Sequence, residues 1–144
     1  MLDVLASKKT TGHIYGEFLV DGKPIDSSFS TIAGYVEQFD SHNELSTVRE
    51  AIEFSARLRC PQDWTEERIK NKVESVMKIL GIDHLQNKRI GNPLTSGVSP
   101  EVRKKVTIAV ELVMEPKVLF LDEPTVCIRI HKIIFDPMYP LMSY

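Results

Sequence analysis

Asp122 and Glu123 stand side by side directly after the apolar run Val118-Leu-Phe-Leu121. A continuous apolar run of that length is typical of a strand buried on both faces of a parallel sheet. Polar groups at the carboxyl end of such a strand face the ligand crevice. Phosphoryl transfer from a nucleotide needs a carboxylate there to hold Mg²⁺, usually through water. A second carboxylate beside it polarises the attacking water. The plainer alternative is a buried strand that ends in a solvated acidic turn. The elements around the pair decide between them.

Those elements follow from local signals. Residues 1–9 read as the tail of a helix, with Leu2, Val4 and Leu5 apolar and Lys8 and Lys9 at the negative helix end. The β-forming stretch Ile14–Val20 runs into Asp21-Gly22, a tight-turn signal. Gly34–Gln38 reads as a short strand ending in polar residues. Thr47 and Glu50 have capping-box spacing, which predicts a helix from Thr47 to about Arg59, stopped by Pro61. A second helix is predicted after Thr65, with Ile69, Val73, Val76, Met77 and Leu80 on one face and Gly81 just past its end. Gly91-Asn92-Pro93 marks a loop. Ser99-Pro100 opens a third helix, Ser as N-cap and Pro at the first helical position, which Val102, Val106, Ala109, Val110 and Val113 carry to about Met114. Pro116 separates it from the Val118–Leu121 strand. Residues 126–144 change character: 12 of these 19 residues are apolar, in no sustained helical or strand period.

Composition sets the frame. The 144 residues fit one domain, with 42% hydrophobic and 26% charged residues, which argues against disorder and low complexity. A net charge of −2 excludes a whole-chain field for nucleic acid. The basic run Arg103-Lys104-Lys105 lacks aromatic interleaving and reads as a solvated helix face rather than a nucleic-acid patch. Cys60 and Cys127 are too few for a disulfide framework, suit a reducing compartment, and lack metal-ligand spacing. No apolar run approaches the roughly 18 residues that span a bilayer.

Four segments together resemble the nucleotide-binding domain of ATP-binding cassette (ABC) transporters. Val118-Leu-Phe-Leu-Asp-Glu-Pro-Thr125 looks like its Walker B strand, and Val98–Leu112 looks like its signature helix. Gly34-Tyr-Val-Glu-Gln-Phe-Asp40, with Leu45–Ala51 after it, looks like the Q-loop strand and the helix that follows. Met1–Ala6 through Gly16–Lys23 resembles the stretch just after the Walker A lysine. The wording is nearest the pleiotropic drug resistance group of the G subfamily. The resemblance covers residues 1–125 and implies an α/β fold: part of a P-loop NTPase domain with an antiparallel β edge, a helical part over residues 48–114 and a central parallel sheet. Residues 126–144 stand apart as a divergent tail.

The resemblance also implies roles. ATP and Mg²⁺ are the family's cofactors. Asp122 would hold Mg²⁺, Glu123 would act as base, and Gln38 would touch Mg²⁺ and the attacking water. Ser99 would grip the γ-phosphate bound to an opposing domain. Gln38 read without the family is a polar strand end, and Ser99 a simple N-cap. The implied partners are a second nucleotide-binding domain and a transmembrane domain, at the cytoplasmic face of a membrane. His131 lies only eight residues after Glu123, too close to be the family's switch histidine.

Three departures bear on activity. The Gly-rich Walker A loop would lie ahead of Met1, and Val126-Cys-Ile-Arg follows where the family has its D-loop. Pro100, Glu101 and Val102 occupy the positions of Gly, Gly and Gln in the signature. Pro100 has no amide to donate and Glu101 brings a carboxylate toward phosphate. Sound Walker B acids beside a degenerate signature resemble the second, carboxyl-terminal nucleotide-binding domain of the drug-resistance group. The expectation is therefore a fragment of the ATP-hydrolysing domain of an exporter of amphipathic compounds, not catalytic alone. Two alternatives stand beside it. One is a non-catalytic module docking on an intact nucleotide-binding domain through Val102, Val106 and Val110 of the Ser99 helix. The other is a truncated gene product with no function of its own.

Overall fold

A computed structural model describes Val4, Ala6, residues 12–13, 15–16, 18–20, 22–25, 29–92 and 96–122. Glu123 and the 126–144 segment lie outside the described residues, as does most of the expected helix tail at residues 1–9.

The chain order is β1 (Leu19–Val20), β2 (Lys23–Pro24), α1 (Phe29–Ile32), β3 (Ala33–Val36), α2 (Val48–Arg59), α3 (Glu66–Ile79), a 3₁₀ turn (Asp83–Leu85), β4 (Gly91–Asn92), β5 (Ser96–Gly97), α4 (Pro100–Leu112) and β6 (Val118–Leu121). β1 and β2 form an antiparallel ribbon, and Gly22 turns between them at φ 75°. The described strand is Leu19–Val20, shorter than the Ile14–Val20 expected, and Ile14 itself lies outside the described residues.

The caps explain why the helices start where the sequence says. Thr47 Oγ1 accepts the Glu50 amide at 3.2 Å, while Glu50 Oε2 accepts the Thr47 amide at 2.8 Å. Two orphan donors of α2 are thereby satisfied reciprocally. Thr65 caps α3 by accepting the Arg68 amide at 3.2 Å. The far end of α3 closes as a Schellman motif: Ile82 N–H donates to Met77 O at 2.9 Å and Gly81 N–H to Lys78 O at 3.0 Å. Gly81 takes φ 65°, a conformation that costs glycine nothing.

One core joins these pieces. Ile52 of α2, Val73 and Met77 of α3, Val106 and Ile108 of α4, and Val36 of β3 are all buried within it. α2 packs on both α3 and α4, and α4 packs back onto β3. Because Val106 is fully buried and Val102 and Val110 pack against the same core, the valine face of α4 is not a docking surface. That overturns the expected route for a docking module.

Three further expectations change. Gly91-Asn92 is not simply a loop but half of an antiparallel pair, with Gly91 opposite Gly97. Its two glycines permit a backbone approach so close that a Cβ on Gly91 would lie 2.0 Å from Ser96 O. The strand expected over residues 34–38 is Ala33–Val36, ending before Gln38. β6 is half-buried rather than covered on both faces; among the described residues it pairs with β3 along one edge.

Candidate functional site

β3 and β6 run parallel, with Val36 opposite Leu121. Asp122 N–H continues the ladder by donating to Val36 O at 3.1 Å. Asp122 therefore stands at the carboxyl end of β6, and Gln38 lies two residues past the matching end of β3. The parallel register brings both to one end of the strand pair, where an α/β sheet binds ligands.

Asp122 is half-buried, and Tyr35 Oη donates to its Oδ2 at 3.4 Å. Nothing in the sequence around Tyr35 marks it for this contact. Its place opposite Phe120, two residues before Asp122, puts all three on one side of the pair, and only the register reveals that. Gln38 is an exposed residue, and its carbonyl accepts Lys104 Nζ at 3.0 Å. The donors available at this end, a carboxylate and a side-chain amide oxygen, are hard oxygen ligands. They fit Mg²⁺, which takes one or two protein oxygens and completes its shell with water and phosphate. Glu123 lies outside the described residues, and among the described residues no cluster of three His, Cys, Asp or Glu is close enough to hold a metal.

Ser99 stands apart from this pair, at the N-terminus of α4. Its Oγ accepts the Val102 amide at 3.3 Å, and its carbonyl accepts the Arg103 amide at 2.9 Å. Pro100 contributes no N–H. Of the first-turn amides, only that of Glu101 lacks an intrahelical acceptor, and it belongs to a residue whose carboxylate pairs with Lys105 Nζ at 3.1 Å. This helix end thus offers few free amides and carries a carboxylate beside them.

The basic run on α4 is the largest correction. Arg103 and Lys104 are each only 6% exposed, so they do not form a solvated face. Arg103 Nη2 donates to the carbonyls of Ile90 (3.2 Å) and Gly91, tying α4 to the β4–β5 hairpin. Its Nε has no acceptor among the described residues. Lys104 donates to Glu37 O at 2.5 Å and pairs with Asp40 Oδ1 at 3.4 Å. Lys105, one residue on, is the partly solvated member. Cys60, half-buried, is a free thiol: burial pushes it up, Glu115 adds to this, and its Sγ donates to Val113 O at 3.8 Å.

A parallel strand pair with Gln38 and Asp122 at its carboxyl end, backed by three capped helices, is the arrangement of an ABC-type ATPase domain. The family model for ABC transporters matches residues 1–126, and the chain belongs to that family. Relatives place it in the G subfamily. It is 46% identical over 126 residues to ABC transporter G family member 31 of Arabidopsis thaliana, and 50% identical over 127 residues to ABC transporter G family member 15 of Dictyostelium discoideum. It is 48% identical over 126 residues to ABC multidrug transporter H of Aspergillus fumigatus. Each match covers 87% of this chain, but the chain spans only 8–9% of the relatives' length. Among solved structures, cbiO1 of Clostridium perfringens, part of the ABC transporter complex cbiONQ, superposes with a TM-score of 0.62 at 34% identity, covering 83% of this chain and 49% of that one. Domains of this family use ATP and Mg²⁺ and work with a partner domain and transmembrane domains. No helix among the described residues is long and apolar enough to cross a membrane.

Proposed function

We propose that this chain is a segment of the ATP-binding and ATP-hydrolysing domain of an ABC exporter for amphipathic, drug- or lipid-like compounds, running over residues 1–125, with 126–144 a divergent tail. The observation that carries the reading is the placement of Gln38 and Asp122 at one end of the β3–β6 pair. In this scheme Asp122 holds Mg²⁺, Glu123 is the general base, Gln38 senses the nucleotide, and Ser99 serves the site of an opposing domain. The N-terminus of α4, where Pro100 has no N–H and Glu101 brings a carboxylate, supports assignment to the second nucleotide-binding domain of a two-domain transporter, where the signature grips phosphate poorly. The working site is at the cytoplasmic face of a membrane, against transmembrane domains.

The chain by itself has no Gly-x-x-x-x-Gly-Lys segment, so the backbone cradle for phosphates must come from elsewhere. Calorimetry on the 144-residue chain should show no micromolar binding of Mg-ATP, and micromolar affinity would overturn this. The positive test is a chimaera in which residues 1–125 replace the segment they match in ABC transporter G family member 31. ATP turnover should persist and be abolished by Asp122→Asn or Glu123→Gln. Turnover indifferent to both would sink the site assignment.

A further inference from the structure

Lys104 and Thr107 lie one turn apart on α4, and both reach the segment that carries Gln38. An ammonium has three N–H donors. Those of Lys104 face three acceptors on four consecutive residues: Glu37 O at 2.5 Å, Gln38 O at 3.0 Å and Asp40 Oδ1 at 3.4 Å. The side chain is 7% exposed, so the ammonium has exchanged water for these partners. Removing them would leave a buried, uncompensated charge, which makes the arrangement stiff.

Thr107 completes the grip. Its Oγ1 lies 2.6 Å from Asp40 Oδ1, 2.8 Å from His42 Nε2 and 3.2 Å from Arg103 O. A hydroxyl carries one proton, and the shortest contact to a pure acceptor, the Asp40 carboxylate, takes it. His42 Nε2 must then be the donor to Thr107, which assigns the imidazole tautomer. The segment from Glu37 to His42 is thereby fixed to one face of α4 at five points, through two side chains. β3 ends at Val36 for the same reason: the next two carbonyls are turned toward Lys104 rather than toward a neighbouring strand.

We propose that Lys104 and Thr107 are positioning residues for Gln38. They hold the backbone on both sides of it, so that its side chain stays at the Asp122 end of the strand pair. The helix that begins at Ser99 and the glutamine at the Mg²⁺ site thus move as one body. This rests on the nucleotide-site reading of Gln38 and Asp122.

The test has two arms. In the 144-residue chain, hydrogen exchange would compare Lys104→Met and Thr107→Val with Lys104→Arg and Thr107→Ser. Amides of residues 37–42 should exchange at least tenfold faster in the first pair and within threefold of the parent in the second. Amides of α3 serve as the control for folding and should not change. In the chimaera described above, Lys104→Met should lower kcat at least tenfold and leave KM for ATP within twofold, with Lys104→Arg restoring most of kcat. If Lys104→Met does not fold, Thr107→Val carries the same comparison. Unchanged exchange at residues 37–42 overturns the proposal. So does faster exchange with kcat unchanged in a chimaera that Asp122→Asn still inactivates, and there the nucleotide-site reading survives. A parent chimaera without turnover overturns that reading instead, and the proposal falls with it.

Discussion

The Glu111 carboxylate of α4 accepts the backbone N–H of Tyr35 at 3.2 Å, in the middle of β3. The same carboxylate binds Arg59 of α2 through both oxygens, at 2.6 and 3.0 Å. One side chain therefore ties the strand that leads to Gln38 to two of the three long helices. Removing the acceptor leaves a mid-strand amide unsatisfied, at a cost of about 1–3 kcal/mol. Removing Arg59, which is more than a third exposed, costs under about 1 kcal/mol. Urea unfolding should accordingly rank Glu111→Leu well above Arg59→Ala. Equal losses would mean that the ion pair, not the strand amide, is the stabilising contact.

The space beside Glu111 exists because residue 34 is glycine. A Cβ there would lie 2.8 Å from Leu119 Cδ1 and 3.3 Å from both Glu111 Oε2 and Pro116 Cγ. The leucine methyl can swing away, but the proline ring cannot. Gly34→Ala should cost about 1–3 kcal/mol by overpacking. Gly91→Ala should cost more, because its Cβ would meet backbone at 2.0 Å and its φ of 67° is strained for alanine. It would also disturb the carbonyls that satisfy buried Arg103. Thermal denaturation that reversed this order would show that the β4–β5 hairpin adapts more readily than the strand–helix contact.

The helices were legible because their signals are local. Thr47 with Glu50, Ser99-Pro100 and Gly81 each act within four residues and form as read, and the helix expected after Thr65 starts there with Thr65 as its cap. The roles of Arg103 and Lys104 were not legible for the opposite reason. Three adjacent cations look like a solvated face, and their acceptors are carbonyls from distant parts of the chain, 67 residues away in the case of Glu37. No side-chain pattern announces a carbonyl as a partner. Tyr35 carries no local signal, because its relation to Asp122 exists only once β3 and β6 are in register. The β4–β5 pair carries none either, because two-residue strands rich in glycine have no alternation to detect.

Acid should loosen α2 first at its amino end. The Thr47 amide, and next the Thr47 hydroxyl, hold the Glu50 carboxyl below its ordinary range. A carboxyl whose folded value is depressed contributes stability that is present above its unfolded value, about 4.3, and lost as pH falls through the folded value. Glu50→Gln should flatten the acid limb of stability below about pH 4.3. Thr47→Ala should cost about 1 kcal/mol at neutral pH through the lost cap. An acid limb identical in the parent and Glu50→Gln would show that other carboxylates govern it.

A second pH dependence should appear nearer neutrality, at His42. Burial pushes the imidazole below its ordinary value; the Asp40 carboxylate opposes this, and the Arg103 and Lys104 cations add to it. The unfolded chain thus takes up a proton at about pH 6.5, before the folded chain does. Stability from this group is complete above about 6.5 and falls as pH drops toward the folded value. His42→Gln retains a donor for Thr107 without a titrating ring. Urea midpoints for the parent should decline as pH falls below about 6.5, whereas those of His42→Gln should stay level until carboxylates begin to titrate. The contacts of Thr107 give the same measurement a second use. Losing its proton donor to Asp40 should loosen residues 37–42 at every pH, so Thr107→Val should lower the whole curve without moving the decline. A decline that persisted unchanged in His42→Gln would show that the imidazole does not govern it.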